Sequence, residues 1–305
     1  MKYFLRHITQ MRLSVAVLLL TGALCMWIVD YVRTPNEWLH VLVTQCMVLL
    51  NAGVLCTVLY RAKATARFSL VPAILYVVTI GIFPFLRVHW QPQLIAGVLL
   101  FFLLTTRDIS DAHEPNGLVF FATVLLCLTA LLVPDAVWCI PFLWIVVLLQ
   151  GAFSLRTIFA SLLGILLVAI YYALAIYAGW AEMLDTSVLV ERVWIGKSLP
   201  ICLSVTTAIL LIAFIVITAC AFIRSTHDLV STRVLLDHAV ILGLISAPLV
   251  LFTASEPDCW VLLPLSMSAT TGVFLLQKES EARGVTLLLY LIGAPALYVW
   301  LLMSL

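Results

Sequence analysis

Eleven stretches of nearly unbroken apolar sequence, most of them about twenty residues long, leave this chain few ways to fold. A helix needs about 20 residues to cross roughly 30 Å of hydrocarbon, and each stretch has about that length. Helices also satisfy their backbone hydrogen bonds internally, which lipid requires. A transmembrane barrel would instead need segments of about ten residues alternating apolar and polar side chains. Composition closes the argument against a water-soluble body. Hydrophobic residues make up 64% of the chain and charged residues only 10%, against about 45–50% and about 25% in soluble domains.

Polar punctuation predicts spans at about 12–32, 38–60, 68–86, 92–106, 117–133, 136–153, 157–180, 199–223, 234–254, 259–277 and 285–304. The expected fold is therefore all-α, a polytopic transmembrane bundle of about eleven spans. It forms a single domain over residues 1–305 and has no soluble domain. The fifth and sixth spans are expected to turn at Val133-Pro134-Asp135, where proline and a carboxylate stop one helix and start the next. Lys2, Arg6 and Arg12 before the run from Leu13 to Val29 imitate a signal peptide. That run exceeds the usual 7–15 apolar residues and lacks a small-x-small cleavage site, so an uncleaved first span is expected.

Lysine and arginine set the orientation. With the N-terminus in the cytoplasm, Arg33, Arg87, Arg192 and Lys197 fall outside, and the other twelve of the 16 basic residues fall inside. Trp27, Trp38, Trp90, Trp138, Trp180, Trp194 and Trp260 all lie toward the expected outer boundary, as interfacial anchors do. Cys25, Cys46, Cys56, Cys127, Cys202 and Cys220 fall inside apolar runs, which suits small buried hydrophobes. Cys139 and Cys259 lie near span ends on the outer side, where a disulfide between them is conceivable. Ala169/Ala173, Ala175/Gly179 and Ser268/Gly272 have the spacing that lets membrane helices approach closely.

The middle of the expected membrane holds almost no ionisable group, which argues against ion coupling through a central carboxylate. Deep polar residues are Gln45, Asn51, Ser204, Thr206, Thr207, Ser266, Thr270 and Thr271, with interhelical hydrogen bonding as their expected role. Charged groups collect at the two interfaces. Inside lie Asp108, Asp111, His113, Glu114, His227, Asp228, Asp237 and His238. They form one Asp-x-x-Asp rather than the paired acidic motifs of membrane prenyltransferases, so solvated loops are expected and no metal site is assigned. Outside, Asp30 or Glu37 could act as a catalytic base, and Arg87 or Arg192 could hold a phosphate by charge-assisted hydrogen bonds. Solvation and interfacial anchoring stand as the plainer reading of the same residues. GxxxxGK[ST], GxSxG, HExxH and GxGxxG are all missing, and no cofactor is implied. A net charge of +1 gives no electrostatic pull toward nucleic acid.

One set of features comprises Asn51-Ala52-Gly53, Leu70-Val71-Pro72-Ala73 with Phe83-Pro84, and the Asn116-Gly117 start of the fifth span. Val133-Pro134, Ser154-Leu155-Arg156 and Leu163-Gly164 continue it. Over residues 51–179 the chain thereby resembles an uncharacterised family of bacterial polytopic inner-membrane proteins. The resemblance implies a bacterial cytoplasmic membrane and brings no activity, cofactor or catalytic residue with it.

Two functional classes remain open. One is a non-enzymatic component that moves or helps assemble envelope lipids or lipid-linked glycans, with membrane lipids and other envelope proteins as partners. The other is a polyprenyl-phosphate-dependent glycosyltransferase or polymerase whose site faces outward.

Overall fold

A computed structural model describes residues 38–61, 69–83, 85–106, 115–132, 140–179, 201–224, 239–243, 258–276 and 293–300. It also describes residues 21, 24, 27–32, 137 and 236–237. All regular structure among them is helical. In chain order the helices are α1 (Trp38–Arg61), α2 (Val71–Ile82), the single-turn α3 (Phe85–Val88), α4 (Gln91–Thr106) and α5 (Asn116–Leu132). They continue with α6 (Ile140–Leu149), α7 (Leu155–Tyr177), α8 (Ile201–Arg224), and a 3-10 turn (Asp258–Val261) leading into α9 (Leu262–Leu276). Residues 27–32 and 293–300 are also helical. The expected turn at Val133-Pro134-Asp135, Cys139 and the acidic and histidine residues expected on the inner side, Asp237 apart, lie outside the described residues.

Two of these helices, α1 and α7, are long and apolar enough to cross a membrane. At 1.5 Å per residue each extends about 35 Å. α7 starts sharply. Ser154 caps it, its hydroxyl accepting from the Thr157 amide at 3.2 Å while the Thr157 hydroxyl accepts from the Ser154 amide at 2.8 Å.

One expected span is interrupted and another ends early. The run 68–86 breaks at Phe83, which takes an extended conformation (φ −104°, ψ 102°) before Pro84. A residue preceding proline is pushed out of helical geometry, and proline has no N–H to continue the ladder. Among the described residues of the run 136–153, α6 supplies ten α-helical residues. Gly151, at φ 67°, then ends it. The Ala152 amide reaches back to the Val147 carbonyl and the Gly151 amide to that of Leu148. This paired closure needs a left-handed residue and so favours glycine.

α9 occupies the centre. Every residue from Trp260 to Leu275 is buried, and α2, α8 and the 3-10 turn pack around it. Close approach comes from small residues. A Cβ on Gly272 would lie 3.0 Å from the Pro72 side chain, and one on Gly164 3.1 Å from the Phe120 carbonyl oxygen. The Ser268/Gly272 pair thus serves packing as expected. Ala169, Ala173 and Gly179 instead lie exposed, because α7 turns a different edge inward.

That edge consists of Thr157, Ala160, Ser161, Gly164 and Val168, spaced at helical intervals. Its outward face carries Leu155, Phe159, Leu163, Leu166, Tyr171 and Leu174, and Tyr177 is 92% exposed. α1 shares the apolar outward face, with Leu39, Leu42, Val43 and Leu50 exposed, but its inward face mixes Thr44, Gln45 and Asn51 with Val41, Val48, Leu55, Val58 and Leu59. Cys56 and Cys127 are buried as expected, but Cys46 lies on the exposed face. Trp260 also departs from expectation. It is a core residue, edge-on to Phe83 with centroids 5.8 Å apart, rather than an interfacial anchor.

Candidate functional site

The break at Phe83 creates the site. It detaches α3 from α2, and Arg87 lies on that freed turn. A helix this short leaves its carbonyls without intrahelical partners. Side chains from two neighbours take them up. Gln93 Nε2 of α4 donates to the Leu86 carbonyl at 3.0 Å, and the Thr44 hydroxyl of α1 lies 3.2 Å from that of Val88. Thr44 also lies 2.8 Å from the His40 carbonyl, so its one proton is shared between the two.

Held this way, Arg87 meets Asp30 from the helical segment 27–32. Nη2 and Oδ1 are 3.1 Å apart, and the two side chains are only 1% and 2% exposed. Gln45 Nε2 lies 3.4 Å from the other carboxylate oxygen, Oδ2. Arg87 Nη2 also donates to the Tyr298 hydroxyl at 3.1 Å, and its guanidinium carbon stands 5.0 Å from the Tyr298 ring centre. The ring therefore supplies a cation–π contact as well as an acceptor. Arg87 Nε and Nη1 are buried and have no hydrogen-bond partner among the described residues.

A second polar group lies deeper. Gln93 is its hub, accepting from the Tyr76 hydroxyl at 2.9 Å through Oε1. Asn51 Nδ2 donates to the Gln93 carbonyl at 2.8 Å and lies 3.4 Å from Oε1. Gly97 permits this, since a Cβ there would stand 3.0 Å from Asn51 Oδ1. Gln93 joins the two groups, because its amide nitrogen holds the α3 carbonyl while its oxygen serves Tyr76. The expected interhelical role holds for Asn51 and Gln45. It does not hold for Ser266 and Thr270, whose hydroxyls donate to carbonyls one turn back in α9 itself.

Of the four residues singled out on the outer side, the structure brings Asp30 and Arg87 together. Glu37 and Arg192 lie outside the described residues. The contributions of Gln45 and Tyr298 to the site are absent from the sequence reading. Tyr298 sits in an apolar run with nothing local to mark it, and Gln45 resembles any deep polar side chain. Among the described residues no three His, Cys, Asp or Glu side chains gather as a metal site would require. Comparison with family models, curated proteins and solved structures gives no match.

Proposed function

We propose that this chain is an eleven-span protein of the bacterial cytoplasmic membrane with its N-terminus inside. Its role is that of a non-enzymatic component that moves or helps assemble envelope lipids or lipid-linked glycans. The faces of α1 and α7 support the membrane placement, because both turn large apolar side chains outward, and α7 turns mainly small or hydroxylated ones inward. Water would drive the opposite arrangement. The helix partners support the alternation of spans. Arg87 with Asp30 and Tyr298, Phe83 with Trp260, and Thr44 with Val88 each join positions expected near the outer side. Gly272 with Pro72 and Leu59, and Thr123 with Ser161, join positions expected near the inner side. The resemblance over residues 51–179 agrees with the same membrane.

The observation that carries the non-enzymatic role is the closure of Asp30 on Arg87. A general base must reach the proton it removes, but this carboxylate is covered and committed to a cation and an amide. The outward-facing glycosyltransferase stays as a second reading on one observation: a candidate base and a candidate phosphate anchor, distant in sequence, are in contact. Purified protein in vesicles, given a polyprenyl-phosphate sugar and an acceptor glycan, separates the two. The expected result is movement of labelled lipid between leaflets with no glycosidic product. Product formation that Asp30→Asn abolishes, in a variant that still elutes as the folded wild type does, would replace the proposal with the enzyme reading.

A further inference from the structure

Arg87 is paired incompletely. A guanidinium offers two edges for an oxyanion, Nε with Nη2 and Nη1 with Nη2, and a carboxylate commonly fills one of them with both oxygens. Asp30 does neither. It engages Nη2 through Oδ1, while Oδ2 is 3.4 Å from Gln45. Nη2 also serves Tyr298, and each edge is left with one open nitrogen, Nε or Nη1. Both are buried in a side chain that is 1% exposed. Trp27 precedes Asp30 by three residues, on the same helix face, and its Nε1 is also buried without a partner. All three open groups are donors.

Exposed residues adjoin this cluster along the chain. His89, two residues after Arg87, is exposed, as are Tyr31 and Val32 after Asp30. An oxyanion approaching from that side would find donors and no free acceptor on Arg87. It could not simply be added, because two anions around one cation in a low-dielectric site repel each other. It has to take the place of Asp30.

We propose that Arg87 is a binding site for a phosphate oxyanion at the outer interface, with Asp30 as a resident anion that the phosphate displaces. A phosphate can fill an edge of the guanidinium bidentately, which Asp30 does not. Tyr298 keeps the cation in place from the opposite partner set, through its hydroxyl and its ring face. The inference rests on the lipid-handling reading above and supplies the chemistry of the group handled.

The test uses the full chain in detergent micelles and native mass spectrometry of bound lipid. Phosphatidic acid is compared with diacylglycerol of the same acyl chains, with inorganic phosphate as competitor. Wild type is expected to retain phosphatidic acid preferentially. Arg87→Gln should lose that preference by roughly tenfold or more, the scale of a charge-assisted hydrogen bond. Asp30→Asn should raise it, because the competing anion is gone. Gln45→Leu should raise it too, by loosening Asp30 while keeping the charge, and this variant carries the test if Asp30→Asn does not fold. Competition by inorganic phosphate would identify a free anion as ligand, and its failure to compete would identify the lipid headgroup.

Lowered phosphatidic acid retention in both Asp30→Asn and Gln45→Leu overturns the displacement. Equal retention of phosphatidic acid and diacylglycerol, or an Arg87→Gln variant that binds as wild type does, overturns the site. Retention of neither lipid by a folded protein strikes at the lipid-handling reading itself, so the two failures are distinguishable.

Discussion

An arginine and an aspartate that are each almost wholly covered depend on one another in a way surface ion pairs do not. Breaking a buried pair leaves the survivor's charge in a poor solvent, whereas removing both charges together is often close to neutral. Arg87→Gln is therefore expected to destabilise the protein by about 3–5 kcal/mol, and Asp30→Asn by a comparable amount. The double variant should recover most of the loss. Thermal unfolding of the four proteins in one detergent gives the coupling directly. Additive losses would show that the 3.1 Å contact does not hold the two residues together. The sequence marks Asp30 and Arg87 as charges at one expected boundary, which is why both could be singled out. It does not mark Gln45 or Tyr298. Tyr298 lies 211 residues from Arg87, and only the arrangement of helices brings it near.

Among the described residues, helices were legible where a run was apolar, because a continuous apolar run of that length is what a bilayer-crossing helix requires. Their breaks were less so. Pro84 and Gly151 stand plainly in the sequence, yet the apolar runs continue through both, and hydropathy cannot see a backbone that stops hydrogen bonding. Nor does it rank helices by depth. α7 exposes most of its residues and α9 is enclosed over residues 262–275, although both are strongly apolar. What separates them is the density of small and hydroxylated residues, Ser266, Ser268, Thr270, Thr271 and Gly272 in α9, which lets neighbours close in on every side. Glycines at contacts carry the same logic into a prediction. Gly164→Leu would drive a side chain against the Phe120 backbone oxygen and Thr123, with no flexible tip to yield, and should cost about 1–3 kcal/mol by parting α5 from α7. Gly53 has nothing within 4 Å of an added Cβ, so Gly53→Ala should stabilise α1 by up to roughly 1 kcal/mol. Melting temperatures that move in the same direction for both variants would contradict this account of the packing.

At the scale of the whole molecule, the strongest inference concerns which end of each helix faces which side. Two independent physical signals bear on it. Basic residues fall twelve to four on the side proposed as cytoplasmic, a bias that arises during insertion and owes nothing to helix packing. Contacts within the bundle join positions expected outside to one another and positions expected inside to one another, as Arg87 with Tyr298 and Gly272 with Pro72 illustrate, and these owe nothing to loop charge. Omitting one span from the scheme would invert every later assignment and would place Tyr298 and Trp260 on the side opposite Arg87 and Phe83. The prediction is an N-terminus inside, a C-terminus outside and eleven crossings. Single cysteines at Ser69, Asn116 and Ser280, on a cysteine-free background, should be shielded from a membrane-impermeant thiol reagent in intact cells and should react once the cells are opened. Cysteines at Asn36 and Thr186 should react in both conditions. Reversal at Ser280 alone would place an error in the crossings after Thr186, where the sequence alternation is least constrained by described contacts. Reversal at Ser69 would undo the orientation from the first loops onward, and the outer placement of Asp30 and Arg87 with it.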